Sequence, residues 1–267
     1  MILEADVGVG IFGKEGRQAA NNADFAIGQF KFLKRLLTVH GRWNYIRQAN
    51  VFLYSLHKNA LITFLLFWFT FYTGLSGTSP FQSYVYSAYN IMLGLPIIFY
   101  GIMDRDLSAE FVEAHPQVYA TGQSNKLLGV HAVIEWTSNC VGYALILCLI
   151  CYYALSRSFS DQALYIMGTT VYTALVLAMQ GKVSFMAHQF AAPQLAVLGL
   201  SIFGMFVCYY IAQYFIYDNL YGAVGPVLFA DSTFWFMGVF TIPAICLVYE
   251  GLVYWFQLLF LPTNEML

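Results

Sequence analysis

Six stretches of this chain, at 51–73, 83–103, 132–155, 163–181, 194–217 and 233–256, are each long and apolar enough to cross a bilayer as a helix. A crossing needs about 20 mostly apolar residues. Backbone polar groups inside hydrocarbon must be satisfied within their own segment, so stretches of this kind become helices. Composition agrees, with 60% hydrophobic and only 10% charged residues, against about 25% charged in a soluble domain. The net charge of −2 gives no electrostatic basis for a nucleic-acid partner.

Turn chemistry fills the gaps, as in Gly74-Leu75-Ser76-Gly77-Thr78-Ser79-Pro80 and in Asp218-Asn219 through Pro226. Seven of the twelve basic residues (Lys14, Arg17, Lys31, Lys34, Arg35, Arg42, Arg47) precede the first span. The positive-inside rule then puts the N-terminus in the cytosol, and an even number of spans returns the C-terminus to the same side. Loop 104–129, with Arg105 and Lys126, is expected in the cytosol. The outer loops 74–82 and 218–232 carry no Lys or Arg, and Arg157 is the one basic residue on the wrong side. No basic stretch followed by an apolar core opens the chain as a cleavable signal would.

Residues 1–49 read differently. Val7, Val9 and Ile11 alternate with small residues, the pattern of a short buried strand. Gly13 and Gly16 bracket a turn, and residues 24–49 mix strand and helix, ending in an amphipathic helix from about Phe30. So short a segment cannot bury a core of its own. Trp43, Tyr45 and Tyr54 suit an aromatic belt at the first membrane boundary. The five cysteines (Cys140, Cys148, Cys151, Cys208, Cys246) all lie in apolar stretches. They read as small packing residues, since a reactive C-x-x-C needs an electropositive, accessible setting.

Lys58 is the residue that most needs explaining. It lies about eight residues into the first span, roughly 12 Å of helix rise. Either it faces a cavity or partner, as intramembrane charges usually do, or it snorkels to the cytosolic interface. Asn59 beside it is a second polar group in need of a partner. Asn90 lies in the second span and is either glue between helices or a ligand contact. Pro96 follows it, and the missing N–H frees a nearby carbonyl to bind something. Span 83–103 has no Asp or Glu, so it lacks the carboxylates a hard cation requires. An ammonium and two amides suit a zwitterionic or anionic headgroup instead. Glu250 in the last span is either a protonated or paired structural acid or a partner or lipid contact. His131 and Glu135, at i and i+4, form an interfacial polar pair; two ligands are too few for a metal.

Several motifs stand in a telling order: Gly8-Val9-Gly10-Ile11, Gly13-Lys14-Glu15-Gly16, Gln18-Ala19, Ala23-Asp24-Phe25-Ala26-Ile27, Gln29-Phe30, Val39-His40-Gly41-Arg42 and Tyr54-Ser55-Leu56-His57-Lys58-Asn59. The series resembles the junction between the phosphorylation domain and the fifth span of type-IV P-type ATPases, the phospholipid flippases. Ser87-Ala88-Tyr89-Asn90, Pro96, Gly101-Ile102-Met103-Asp104-Arg105-Asp106, and then Pro116, Tyr119, Gly122-Gln123 and Asn125, resemble that family's sixth span and following loop. His57, Leu56 and Asn22-Ala23 depart from the usual aromatic, Phe and Ser-Ser; these departures bear on substrate choice more than on family membership. The motifs cover residues 4–126, and beyond them only span number and spacing agree.

The resemblance implies an α-helical polytopic membrane protein, six transmembrane helices preceded by the tail of an α/β, HAD-like phosphorylation domain. Residues 1–49 would be that remnant and its linker helix, 50–129 the first two spans with their cytosolic loop, and 130–267 a four-span support domain. Lys58, Asn59 and Asn90 would touch a phospholipid headgroup on its way to the cytosolic leaflet. The family enzyme is an ATP-driven translocase that uses Mg2+ and pairs with a glycosylated two-span β-subunit in Golgi, endosomal or plasma membranes. The DKTGT and TGES motifs are absent from this sequence. The GDGxND motif is expected just upstream of Met1, which would then be an internal methionine, and four earlier spans are expected outside the chain. No catalytic, cofactor or metal residue is therefore assigned here, and the chain alone is expected to be inactive. Two other readings remain: a non-catalytic membrane interaction protein or decayed truncated copy, and an unrelated six-span channel. The last would need internal repeats or a polar pore stripe, and neither is visible.

Overall fold

A computed structural model describes residues 4–13, 18–123, 126–155, 161–215, 229–232 and 234–260. The expected turn at Gly16, Asn125, Arg157 and most of loop 218–232 lie outside the described residues. The chain forms two compact units: Met1–Ala49 with Arg105–Leu127, and Asn50–Asp104 with Leu128–Leu267.

In the first unit, β1 (Val9–Ile11) runs parallel to β2 (Phe25–Ile27), with Gly10 opposite Ala26. The short helix α1 (Gln18–Asn21) connects them. Two motifs thus lie side by side, because the Gly8 N–H donates to the Asp24 carboxylate at 2.8 Å. Gly10 has to be glycine: a Cβ there would sit 2.5 Å from the Ala19 carbonyl oxygen and 2.9 Å from the Ala20 Cα. The strand forms as expected but is not buried, since Val7 is 60% and Ile11 41% exposed. Two strands and one turn of helix supply too little surface to cover them.

Helix α2 (Phe32–Arg35) is followed directly by a π-helical turn at Leu36–Gly41 and by α3 (Arg42–Tyr72), so helical residues run unbroken from the expected amphipathic helix into the first span. Loop residues 105–123 pack against residues 35–49. They contain α5 (Ala109–Ala114), N-capped by the Ser108 hydroxyl, and α6 (Ala120–Gln123). The Arg42 Nε and Nη2 donate to Asp106 Oδ2 at 3.0 and 2.8 Å, and its Nη1 donates to the Val118 carbonyl at 2.6 Å. The Trp43 indole donates to the Leu107 carbonyl at 3.0 Å, and Val39, Trp43 and Val112 form the small core beneath.

In the second unit α3 continues beside α4 (Ser83–Met103), α7 (Val130–Leu155), α8 (Asp161–Met186) and α9 (Ala192–Phe215); a π-helical stretch Phe234–Thr241 leads into α10 (Ile242–Phe260). Six helices long and apolar enough to cross a membrane occur among the described residues. The α8 span is the most enclosed, 67% buried against 22–39% for the others, so the bundle packs around it. There Gly168 lets the Pro80 carbonyl approach to where a Cβ would stand. Cys140, Cys148 and Cys246 pack in the interior. Trp43 and Tyr54 are buried within the protein, and the Tyr54 hydroxyl donates to the Met179 carbonyl at 3.3 Å. The fourth span also runs further than its apolar stretch, to Met186, which carries Lys182 into the helix.

Candidate functional site

Lys58 points from α3 toward α4. Its ammonium is buried and donates to the Asn90 side-chain oxygen at 3.0 Å, while the Tyr89 hydroxyl donates back to the Lys58 carbonyl at 2.7 Å. The buried side chain ends on the neighbouring span. Asn90 itself is exposed, so its amide stands in front of the lysine. Asn59, although adjacent in sequence, lies on an exposed face of α3 and is not brought to the pair; its carbonyl accepts from the Thr63 hydroxyl at 2.8 Å. An ammonium has three protons and Asn90 takes one. Two ammonium protons and the Asn90 amide protons remain, a donor set suited to phosphate or carboxylate oxygens.

Behind Asn90, the carbonyl freed by Pro96 is not available to a ligand, contrary to expectation. Helical geometry pairs the carbonyl of residue 92 with the N–H of residue 96, which proline lacks. The Ser201 hydroxyl from α9 donates to the Met92 carbonyl at 2.5 Å and accepts from Gln180 Nε2 of α8 at 2.7 Å.

A second polar cluster joins α7, α8 and α10. The Lys182 ammonium lies 2.6 Å from Glu250 Oε1, and Asn139 Nδ2 donates to Glu250 Oε2 at 3.0 Å. The same ammonium lies 4.7 Å from the Trp136 ring centroid and 5.5 Å from that of Tyr143. Glu250 is therefore a paired acid, the structural alternative of the two open for it. Sequence reasoning missed Lys182 because it follows directly on the apolar stretch 163–181 and reads as its boundary; the signal was Glu250, a lone intramembrane acid in need of a cation. His57 is buried with Nδ1 3.1 Å from the Trp136 carbonyl, its ring edge-on to Trp136 and Tyr143. A cavity of about 590 Å³ opens beside the ion pair, lined among others by Glu135, Asn139, His188 and Gln257. His131 and Glu135 do pair, at 3.9 Å.

Where α4 ends, the Asp104 carboxylate accepts the backbone N–H of His188 at 2.9 Å, that of Gln189 at 3.2 Å, and the His188 ring Nδ1 at 2.9 Å. Burial alone would raise the Asp104 pKa; these bonds outweigh it and hold the carboxyl below its ordinary value. Among the described residues no three His, Cys, Asp or Glu side chains stand together as a metal site.

The chain matches the phospholipid-translocating P-type ATPase C-terminal family over residues 20–263. It is 33% identical over 276 residues to the phospholipid-transporting ATPase DRS2 of Saccharomyces cerevisiae, covering 99% of this chain and 20% of that protein. It is 33% identical over 234 residues to the probable phospholipid-transporting ATPase 4 of Arabidopsis thaliana, covering 85% of this chain and 18% of that protein. With phospholipid-transporting ATPase 2 of the same plant it shares 41% identity over 161 residues, 60% of this chain and 14% of that protein. The chain thus spans only 14–20% of the length of these relatives.

Proposed function

The chain belongs to the phospholipid-translocating P-type ATPases, matching their C-terminal membrane region, and from that premise we propose that it carries part of the lipid path of an ATP-driven flippase. Lys58 and Asn90 contact the phospholipid headgroup as it moves toward the cytosolic leaflet, and Asn59 faces the path from its exposed side. The observation that carries this reading is the 3.0 Å bond between the buried Lys58 ammonium and the exposed Asn90 amide. An intramembrane cation held behind a polar amide marks a substrate route.

Residues 1–49 serve as the end of the phosphorylation domain and its linker, 50–129 as the fifth and sixth spans with their loop, and 130–267 as a support domain that docks a two-span β-subunit. The termini lie in the cytosol, in a Golgi, endosomal or plasma membrane. ATP and Mg2+ act in the phosphorylation and nucleotide domains of the whole enzyme, so this chain alone neither hydrolyses ATP nor moves lipid.

The test is lipid-stimulated ATP hydrolysis by the whole transporter that contains this region. K58A and N90A should each raise the lipid concentration for half-maximal stimulation about tenfold or more, the scale of one charge-assisted hydrogen bond, with phosphorylation by ATP intact. Unchanged lipid dependence in both variants would overturn the reading.

A further inference from the structure

We propose that Gln180 and Ser201 are positioning residues for the headgroup contact at Asn90, acting through the backbone carbonyl of Met92. The inference rests on the reading of Lys58 and Asn90 given above. Pro96 cannot serve that carbonyl, and in an apolar span an unserved carbonyl is unfavourable. The Ser201 hydroxyl serves it at 2.5 Å. A hydroxyl has one proton, and Met92 takes it, so toward Gln180 the Ser201 oxygen can only accept. Gln180 Nε2 accordingly donates to it at 2.7 Å. Donor counting also fixes the amide: turned over, Gln180 would present its oxygen to a hydroxyl with no second proton. All three groups are shut away from solvent, with Met92 5%, Gln180 2% and Ser201 4% exposed. The relay therefore runs from α8 through α9 to α4 in a buried setting, where hydrogen bonds are strong and their loss is felt.

The place where the relay ends gives it a role. Pro96 opens the hydrogen-bond ladder of α4 at the Met92 carbonyl, and helix geometry at such an opening responds to the group inserted into it. Met92 is two residues beyond Asn90 and three beyond Tyr89, and both of those side chains reach across to Lys58, at 3.0 and 2.7 Å. The opening of the ladder between 92 and 96 thus bears on how α4 presents Asn90 to α3. Ser201 does not bond Lys58 and acts by filling the opening at the Met92 carbonyl. A second bond from the same region, the Tyr172 hydroxyl to the Met92 sulfur at 3.9 Å, is long and weak and cannot replace it.

The test uses the whole transporter and lipid-stimulated ATP hydrolysis. Phosphatidylserine, phosphatidylethanolamine and phosphatidylcholine are titrated in turn, and the most stimulating lipid is used. S201A should raise the half-saturating lipid concentration by about tenfold, as expected for a buried carbonyl left unsatisfied, with a smaller change in maximal turnover. S201T, which keeps the hydroxyl, should restore the wild-type value. The decisive comparison is with P96A, which restores the N–H at position 96 and so serves the Met92 carbonyl from within α4. In that background S201A should produce no further loss. Q180M, which leaves the bond from Ser201 to Met92 but removes its orienting donor, should shift half-saturation less than S201A; it supplies the reading if S201A does not fold. The proposal is overturned if S201A and Q180M keep wild-type lipid dependence while K58A and N90A lose it. It is equally overturned if S201A acts as strongly with P96A as without it, because the role is then packing. If K58A and N90A themselves keep wild-type lipid dependence, the site reading fails first and takes this inference with it.

Discussion

The Lys182 ammonium and the Glu250 carboxylate meet at 2.6 Å between the fourth and sixth spans, with the lysine 2% exposed. A charge at that depth survives only as half of a pair, and removing one partner leaves the other uncompensated. E250Q or K182M alone should each destabilise the membrane unit by about 3–5 kcal/mol, whereas the double replacement K182M/E250L should be much better tolerated. Thermal unfolding of the purified transporter, followed by gel filtration, checks this. Equal loss in the single and double variants would show that the pair is not what the bundle depends on.

The Asp104 carboxylate ties the end of α4 to the backbone at His188 and Gln189. Its pKa lies below the ordinary value despite burial, which acts the other way. The sign follows: the contribution is fully present above the unfolded carboxyl pKa, about 3.9, and is lost as pH falls through the lower folded value. Wild type should therefore be more stable than D104N at neutral pH. The gap should close only below about pH 4. A gap that closed between pH 5 and 7 would assign the effect to another group.

Arg42 holds Asp106 through two nitrogens and the Val118 carbonyl through a third. R42K keeps the charge and loses the fork, so it is not a conservative change here. It should loosen loop 105–123 by about 1–3 kcal/mol. Faster amide exchange at 107–119 in the variant is the expected reading; exchange identical to wild type would mean that Trp43 and Val112 hold the loop without it.

Gly10 faces backbone atoms of α1 that no rotamer change can move aside. G10A should cost about 1–3 kcal/mol through this forced displacement, whereas G28A, with nothing within 4 Å of its added methyl, should be nearly neutral in packing. Protease resistance of the N-terminal unit compares the two. Equal resistance would mean that α1 does not need its close seat on β1.

Much of this was legible in the sequence, for definable reasons. The spans follow from apolar length, and the second span ends at Met103 where apolar length placed it. Lys58 and Asn90 were visible because an intramembrane cation and amide each demand an explanation. Lys182 was not visible, because a charge at the edge of an apolar stretch reads as its end; only a partner from another span reveals that the helix continues. The carbonyl partners of Trp43 and Tyr54 were not visible either, since Leu107 and Met179 lie far off in sequence. Ser201 carried no sequence signal at all. A serine in an apolar span is unremarked until a proline on another helix frees the carbonyl that it meets.

The central claim is that a phospholipid headgroup passes against the face formed by Lys58 and Asn90. A photoactivatable amino acid placed at position 90 of the whole transporter tests it most directly. Under turnover with a radiolabelled phospholipid, the transporter should be labelled in a way that K58A reduces severalfold and excess unlabelled lipid abolishes. A probe at the exposed position 203 of α9 should capture bulk lipid without either dependence. Labelling at position 90 that matched position 203, and that ignored both K58A and the competing lipid, would contradict the account.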